Sequence, residues 1–336
     1  MRIVINGFGR IGRTILRQIL TRPEHADIEV VRVNDIAPLA TCAYLFKYDS
    51  TFGPLPYEVT HDGSGLHING RYISFSAQAS LTDADFAGID VVLECTGKVT
   101  SRATAQAGLN AGARAVLVSG PSDHAETTIV LGANEADLGT ARIISNSSCT
   151  TNAIAPLLRA LDDTFGIERA HVSTVHCYTN SQPLVDAPRG DLARSRAAAE
   201  SMVPTSTSAA RELGAVLPAL SGRISIAALR VPSLSVSAID ATVQISTPIG
   251  SSPRDILREI TARSHVIGAT DDACVSRDMR GRAESLVLAL PEIQTIHDRQ
   301  LRIFGWYDNE WGFSARMIDM ARRLTARPEH TDISHG

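Results

Sequence analysis

Lysine is almost absent from this 336-residue sequence, because all but two of its 32 basic residues are arginine. Lys47 and Lys98 are therefore the only candidates for a Schiff-base lysine or a P-loop lysine, and neither lies in a Walker motif. The acidic residues outnumber the basic ones slightly and give a net charge of −4. Since proteins that bind nucleic acid usually carry a basic patch, we expect no nucleic-acid partner.

Long hydrophobic runs are also missing, and no stretch approaches the 18 or so consecutive apolar residues of a membrane-spanning helix. The first residues, Met1–Gly7, predict a β-strand and lack the anatomy of a signal peptide. No C-x-x-C pair occurs, which argues against a zinc ribbon and a disulfide framework. We therefore expect a cytoplasmic protein with no membrane contact and no bound metal. Its five cysteines are scattered along the chain: Cys42, Cys95, Cys149, Cys177 and Cys274.

Strand and helix patterns alternate through the first half of the chain. Arg2–Asn6 predicts a strand, the apolar stripe of Arg10–Leu20 predicts a helix, and Ile28–Asn34 predicts a second strand. This alternation is typical of a doubly wound, mostly parallel sheet. In the second half, a helix predicted over Asn152–Phe165 leads into longer strand-like stretches. One of them, Ser235–Ser246, alternates apolar and polar residues, which indicates a mainly antiparallel sheet.

A glycine-rich turn joins the first predicted strand to the first predicted helix. Gly7, Gly9 and Gly12 form the pattern G-x-G-x-x-G, and Asp35 lies 23 residues further on, at the end of the next predicted strand. Such glycines let the backbone approach a pyrophosphate at the positive end of a helix. An acid at the position of Asp35 accepts hydrogen bonds from ribose hydroxyls and repels a 2′-phosphate. The sequence therefore predicts a Rossmann-type domain that binds NAD rather than NADP.

The length of the chain suggests about two domains. The last predicted helix, Gly312–Leu324, is positioned to pack back on the first domain. We therefore predict an α/β protein with a Rossmann-type NAD-binding domain formed by residues 1–148 and 312–336. Residues 149–311 are predicted to form an α+β catalytic domain with a mainly antiparallel sheet.

Cys149 is the candidate nucleophile, because it lies among short polar residues where a predicted strand meets a helix. Unpaired N–H groups and the positive helix end lower a thiol pKa there and could stabilise an oxyanion. Pro156 predicts a kink in this helix or a later start. His176, late in a predicted strand, is the candidate base. The residues alone leave open whether it meets Cys149 or is a structural histidine.

Seven short segments extend the pattern over nearly the whole chain, and their order is specific. They are N-G-F-G-R-I-G from Asn6, S-C-T-T-N from Ser148, H-C-Y-T-N from His176, R-A-A-A from Arg196, P-T-S-T from Pro204, R-V-P from Arg230 and W-Y-D-N-E-W-G from Trp306. In this order they resemble the phosphorylating glyceraldehyde-3-phosphate dehydrogenase family.

The resemblance implies a reversible, NAD-dependent oxidation of glyceraldehyde 3-phosphate to 1,3-bisphosphoglycerate. Cys149 would attack the aldehyde to give a thiohemiacetal, and His176 would act as its base. Oxidation would leave a thioester on the sulfur, which inorganic phosphate would then attack. The resemblance also implies a homotetramer, in which the segment Ser181–Pro204 reaches the cofactor of a neighbouring subunit.

The resemblance assigns binding roles to further residues of this chain. The substrate's own phosphate would be held by Thr179, Ser181 and Arg230. The attacking phosphate would be held by Ser148, Thr150, Arg194, Thr207 and Ser208, where Ser208 replaces the usual glycine. Cofactor contacts are implied at Gly7, Gly9, Arg10, Ile11, Gly12, Asp35, Ser119 and Asn309.

Two other functions remain open at this stage. One is an erythrose-4-phosphate dehydrogenase, which releases its thioester with water; the run Tyr178-Thr179-Asn180 favours the triose phosphate enzyme. The other is a non-catalytic scaffold paralogue, which the intact set of Cys149, His176 and Arg230 disfavours.

Overall fold

The computed structural model describes residues 1–250 and 252–327, which contain two β-sheets and seven α-helices. The strands of the first sheet are β1 (Arg2–Asn6), β2 (Glu29–Asn34), β3 (Val59–His61), β4 (Gly65–Ile68), β5 (Arg71–Ser76), β6 (Val91–Glu94), β7 (Ala115–Val118), β8 (Thr127–Thr128) and β9 (Ile143–Ser145). The helices in this part of the chain are α1 (Arg10–Thr21), α2 (Leu39–Lys47) and α3 (Arg102–Asn110).

The first sheet is parallel over most of its width. Its strand order is β3-β4-β5-β2-β1-β6-β7-β9-β8, and every neighbouring pair from β5 to β8 is parallel. The central strands β6 and β7 are buried at every position, as expected for strands covered on both faces. The chain order reverses between β1 and β6, so a crevice opens at the carboxyl ends of these strands. The prediction of a doubly wound, mostly parallel sheet is confirmed.

An antiparallel extension at one edge of this sheet is not predicted by the strand and helix patterns. Strands β3, β4 and β5 form two hairpins there. The two-residue turn between β4 and β5 is Asn69-Gly70, and both residues have positive φ, 49° and 74°. Asn-Gly is the residue pair that a type I′ hairpin turn favours, so a local signal for this hairpin is present in the sequence.

The second sheet is mainly antiparallel, which confirms the predicted class of the second domain. Its strands are β10 (Ile167–Cys177), β11 (Val203–Thr205), β12 (Ile224–Val231), β13 (Ser237–Ile245), β14 (Ile267–Thr270), β15 (Leu286–Ala289), β16 (Gln294–Ile296) and β17 (Gln300–Tyr307). They follow the order β11-β12-β10-β13-β17-β15-β14, with β16 paired to β17. Only the pairs β10/β12 and β14/β15 are parallel among these described strands. The helices are α4 (Cys149–Phe165), α5 (Ala209–Val216) and α6 (Pro253–Arg263).

Helix α4 begins earlier than the sequence patterns predict. It starts at Cys149 and continues through Pro156, so the predicted start at Asn152 is wrong. The cause is the cap: the Ser148 side chain accepts a hydrogen bond from the Thr151 N–H, which satisfies one of the unpaired donors of the first turn. Cys149 is therefore the first residue of the helix.

The last helix, α7 (Trp311–Thr325), packs on α1. The Gln18 side-chain amide donates to the Trp311 carbonyl oxygen at 2.8 Å, and Arg322 forms an ion pair with Asp27 at 2.7 Å. These contacts support the predicted division of the chain, which stays a prediction. Residues 328–336 of the predicted first domain lie outside the described residues. Within the described part of the chain, no helix combines the length and apolarity that crossing a membrane requires.

Candidate active site

A strained turn precedes Cys149 at the start of α4. Ser147 has φ of 58°, a left-handed conformation that is uncommon for a serine, and Ser148 then caps α4. Glu212, on α5, accepts hydrogen bonds from the Ser147 hydroxyl and from the Ser148 N–H at 2.8 Å. The turn before the nucleophile is thus held by a buried acid from a distant part of the chain.

Cys149 and His176 meet in the structure. The Cys149 Sγ atom lies 3.6 Å from His176 Nε2. His176 Nδ1 lies 2.7 Å from the carbonyl oxygen of Cys177, which can only accept a hydrogen bond. Arg230 Nη1 also lies 3.2 Å from Nδ1, but its two hydrogens have acceptors in the Cys177 carbonyl oxygen and the Thr179 hydroxyl, so we assign the ring hydrogen to Nδ1. The Nε2 lone pair therefore faces the thiol. This is the arrangement that a nucleophile and its base require.

Burial favours the uncharged form of both members of this pair. Burial raises the pKa of the Cys149 thiol to about 11, although Arg230 and the N–H and hydroxyl of Thr150 act in the opposite direction. Burial also lowers the pKa of His176 to about 4, and the nearby Arg230 guanidinium lowers it further. The expectation of a lowered thiol pKa at this helix end is therefore wrong, because desolvation outweighs the helix end. The neutral imidazole is placed to accept the thiol proton as the sulfur bonds to a carbonyl carbon.

Arg230 links the base to the predicted pocket for the substrate's phosphate. On the parallel pair β10/β12 it lies directly opposite His176. Its guanidinium donates to the Cys177 carbonyl oxygen at 3.0 Å and to the Thr179 hydroxyl at 3.2 Å. The Thr179 hydroxyl lies 3.0 Å from that of Ser181. The three predicted ligands of this phosphate, Thr179, Ser181 and Arg230, therefore lie together, within reach of the nucleophile's base.

The residues predicted for the attacking phosphate are only partly assembled. Arg194 donates to the Thr205 hydroxyl at 2.6 Å and to the Ser206 carbonyl, just before Thr207. Thr207 and Ser208 precede α5, the helix that carries Glu212 and hence contacts Ser148. Thr150 is different, because its buried hydroxyl lies 3.0 Å from the Tyr307 hydroxyl. The Thr150 side chain therefore binds a buried phenol.

The glycine turn has the features of a pyrophosphate site. Gly7 has φ of 95°, and a Cβ atom there would lie 2.6 Å from the backbone at Cys95. A Cβ at Gly12 would lie 2.2 Å from the Gly7 carbonyl oxygen, whereas nothing lies within 4 Å of one at Gly9. No side chain caps α1, so the N–H groups at Arg10, Ile11 and Gly12 have no capping partner. Open space beside free donors at a helix start fits a phosphate anion.

A cleft of about 600 Å³ begins at this turn, at the carboxyl ends of β1, β2 and β6. Its lining includes Gly7, Gly9, Asp35 and Thr96. The Asp35 carboxylate is held by the Phe8 N–H at 2.6 Å and by the Ala37 N–H at 2.8 Å. Because each carboxylate oxygen has a second lone pair, both remain able to accept from a sugar hydroxyl. The cleft has the volume and the polar groups that a dinucleotide needs.

Two of the residues predicted to bind the cofactor have other partners. The Arg10 guanidinium is clamped between Asp49 and Glu310, with Nε 2.9 Å from Glu310. It therefore ties α1 to the segment before α7. Ser119 follows the carboxyl end of β7, and its N–H donates to the Glu94 carbonyl at 2.9 Å.

Asn309 is buried, and its side chain is oriented by hydrogen bonds from Cys177 and Ser237. Its Oδ1 atom accepts from the Cys177 thiol at 3.2 Å and from the Ser237 hydroxyl at 3.4 Å. Its side-chain N–H₂ has no hydrogen-bond partner among the described residues and is free to donate to a ligand amide. Across the described residues, no group of three or more His, Cys, Asp or Glu side chains could hold a metal ion.

Glu212 and Tyr307 are the site residues that sequence reasoning missed. Glu212 holds the turn before Cys149, and Tyr307 binds the Thr150 hydroxyl and packs edge-on against His176, with ring centroids 6.0 Å apart. Tyr307 lies within the segment W-Y-D-N-E-W-G, so the sequence contained a signal that this residue belongs to the site. No local pattern distinguishes Glu212 from a surface acid on a short helix.

Comparisons with known proteins cover both parts of the chain. Residues 1–102 match the family model described as glyceraldehyde 3-phosphate dehydrogenase, NAD binding domain. Residues 148–309 match the model described as glyceraldehyde 3-phosphate dehydrogenase, C-terminal domain. Together the two matches extend over most of the chain, and the second includes Cys149 and His176.

Curated relatives that match this chain over nearly their full length are named glyceraldehyde-3-phosphate dehydrogenase. The glyceraldehyde-3-phosphate dehydrogenase of Pseudomonas aeruginosa is 43% identical over 331 residues, which cover 97% of this chain and 98% of the relative. That of Kitasatospora aureofaciens is 42% identical over 97% of this chain and 99% of its own. That of Geobacillus stearothermophilus is 38% identical, again over 97% and 99%.

Proposed function

The chain belongs to the glyceraldehyde-3-phosphate dehydrogenase family, and from that premise we propose that Cys149 and His176 carry its reaction. It is an NAD-dependent oxidoreductase that acts on glyceraldehyde 3-phosphate. The observation that carries the assignment of roles is the 3.6 Å contact between Cys149 Sγ and His176 Nε2. No other described cysteine has a histidine nitrogen in hydrogen-bond contact with its sulfur.

The proton moves between sulfur, imidazole and substrate oxygen. As the Cys149 sulfur bonds to the aldehyde carbon, His176 Nε2 accepts the thiol proton and then returns it to the carbonyl oxygen, which gives the thiohemiacetal. His176 removes that proton again when the carbon is oxidised, and a thioester remains on the sulfur. N–H groups at the start of α4 stabilise the negative oxygen. NAD, when bound, supplies the hydride acceptor.

The energy of the oxidation stays in the thioester until a nucleophile arrives. We propose inorganic phosphate as that nucleophile: its oxygen bonds to the thioester carbon, the carbon–sulfur bond breaks, and the leaving sulfur regains its proton from His176. The substrate's own phosphate is held by Arg230, Thr179 and Ser181. Arginine suits this task because its planar fork binds phosphate oxygens in a bidentate manner.

An assay with and without phosphate tests the proposed second half-reaction. With NAD and glyceraldehyde 3-phosphate alone, we expect a burst of about one NADH per active site, because each Cys149 is then held as the thioester. Added phosphate should restore steady turnover. A steady rate that does not depend on phosphate would show that water releases the product and would contradict the proposal. The same assay with erythrose 4-phosphate compares kcat/KM between the three-carbon and the four-carbon substrate.

The cleft at the glycine turn fits NAD, and Asp35 is the residue we propose to select it. Asp35→Ala removes both ribose acceptors and the charge that repels a 2′-phosphate. We expect kcat/KM with NAD to fall about tenfold, the effect of losing a hydrogen bond to a charged group, and the preference for NAD over NADP to fall further. Asp35→Asn is the intermediate variant, since it removes the charge and replaces one of the two acceptor oxygens by an N–H₂ donor. An unchanged NAD to NADP ratio in both variants would refute this role.

We further propose a homotetramer in a reducing, cytoplasmic compartment. In the segment from Ser181 to Pro204, the strongly apolar Leu184, Val185, Leu192 and Met202 are between 70% and 89% exposed, which favours burial against another subunit. All five cysteines are free, in keeping with a reducing compartment.

A further inference from the structure

Glu212 is a buried acid that the reaction steps above do not use. Only 6% of the residue is exposed. Its Oε2 atom accepts from three groups at the start of α4: the Ser147 hydroxyl, the Ser148 N–H at 2.8 Å and the Thr151 hydroxyl at 2.9 Å. Its Oε1 atom is also buried and has no hydrogen-bond partner among the described residues. The acid therefore lies against Ser148, a predicted ligand of the attacking phosphate.

The Glu212 contact determines where the hydrogen of the Ser148 hydroxyl points. A carboxylate oxygen can only accept, so Thr151 donates its single hydroxyl hydrogen to Glu212. The Ser148 hydroxyl lies 2.7 Å from the Thr151 hydroxyl. Because the Thr151 hydrogen is already used, Ser148 must donate in this pair. One lone pair of the Ser148 oxygen accepts the Thr151 N–H at 3.2 Å, so the hydroxyl presents a phosphate oxygen with its remaining lone pair and no hydrogen.

The charge of Glu212, like this hydrogen bond, disfavours a phosphate at Ser148. The N-terminus of α4 attracts anions through its free N–H groups and the helix dipole. Glu212 binds the Ser148 N–H at that end, and half of its carboxylate has no compensating donor. A phosphate dianion that approaches Ser148 therefore meets a helix end whose positive potential is already partly neutralised.

We propose that Glu212 weakens binding of the attacking phosphate and so sets the phosphate concentration at which the thioester on Cys149 is released. The inference rests on the proposed function, in which Ser148 contributes to the phosphate pocket. Glu212 acts through Ser148 and Thr151, so it is a positioning residue. Its effect falls on the second half-reaction and leaves binding of the aldehyde and of NAD unchanged.

Steady-state kinetics of Glu212→Ala and Glu212→Gln test this directly, with phosphate varied at saturating NAD and glyceraldehyde 3-phosphate. The alanine variant removes acceptor and charge, and we expect its KM for phosphate to fall about tenfold, as for one regained hydrogen bond to a charged group. The glutamine variant keeps an acceptor for Thr151 and loses only the charge, so a fall of about threefold is expected. KM for the aldehyde should change less than about twofold.

Ser148→Ala, made in both backgrounds, separates a role through Ser148 from general loosening of the turn. In the Glu212→Ala background the Ser148 hydroxyl is free to donate, and its removal should raise KM for phosphate about tenfold. In the wild-type background the same change should have a clearly smaller effect. Equal effects in the two backgrounds would overturn the proposal, because they would show that Glu212 does not control the Ser148 hydroxyl.

The outcomes distinguish this inference from the proposed function. If wild-type NADH formation does not depend on phosphate, the proposed acceptor is wrong whatever Glu212 does. If it depends on phosphate but both Glu212 variants keep the wild-type KM for phosphate, only the inference fails. Should Glu212→Ala not fold, as judged by loss of NAD binding, the isosteric Glu212→Gln decides alone: a lower KM supports the inference, and an unchanged or higher KM overturns it.

Discussion

Replacement of Cys149 by serine is expected to lower steady-state NADH formation from glyceraldehyde 3-phosphate by about 10⁴-fold or more. A serine hydroxyl at this position is a far weaker nucleophile than the Cys149 thiol, whose sulfur lies 3.6 Å from His176 Nε2. The residues proposed to bind NAD, at the glycine turn and Asp35, do not include Cys149. The dissociation constant of NAD, measured by fluorescence or calorimetry, should therefore stay within about twofold.

Cys274→Ser is the matched control for this variant, since Cys274 is partly exposed, packs against a small apolar cluster that does not include His176, and has no histidine nitrogen in contact with its sulfur. The control should keep wild-type kcat. More than a few per cent of wild-type activity in Cys149→Ser would show that another group attacks the aldehyde.

His176→Asn is expected to lower kcat by about 10²- to 10⁴-fold, the usual contribution of a general base. Because burial lowers the pKa of His176 to about 4, the imidazole is neutral and can accept a proton throughout the range from pH 5 to 8. Asparagine keeps a polar group on β10 but has no basic nitrogen. The rate of NADH formation in the first turnover, measured by rapid mixing, shows whether the loss of activity lies in the oxidation step.

His171→Asn is the control on the same strand. His171 is exposed, and its Nε2 lies 3.3 Å from the Ser173 hydroxyl, away from the nucleophile. We expect this variant to turn over at the wild-type rate. An equal loss in the two variants would mean that His176 acts by supporting the sheet, and its role as a base would be withdrawn.

The elements with strong local patterns could be predicted from the sequence. Strand β1 begins and ends where its apolar run indicates, β13 lies within the predicted stretch Ser235–Ser246, and α1 extends only one residue past its stripe. Strands β3 to β5 were missed because they are short and rich in polar residues, so the Asn69-Gly70 turn was their only strong signal. The start of α4 was misplaced because the Ser148 cap outweighs the effect of Pro156.

The chemistry of the site was only partly accessible from the sequence. Its motifs indicated Cys149, His176 and Arg230, but their proximity depends on the parallel pairing of β10 with β12 and on the position of α4. The raised pKa of the thiol depends on burial, which no local pattern reveals. Glu212 was missed for the same reason, since its three contacts join segments more than 60 residues apart.

In the proposed mechanism the aldehyde carbon becomes covalently bound to the sulfur of Cys149. Mass spectrometry of the protein, acid-quenched after one turnover with NAD and glyceraldehyde 3-phosphate but no phosphate, detects this bond. We expect a 3-phosphoglyceroyl adduct on the peptide that contains Cys149, at about one per NADH formed, which disappears when phosphate is added. One NADH per site with an unmodified Cys149, or with the adduct on another residue, would contradict this mechanism.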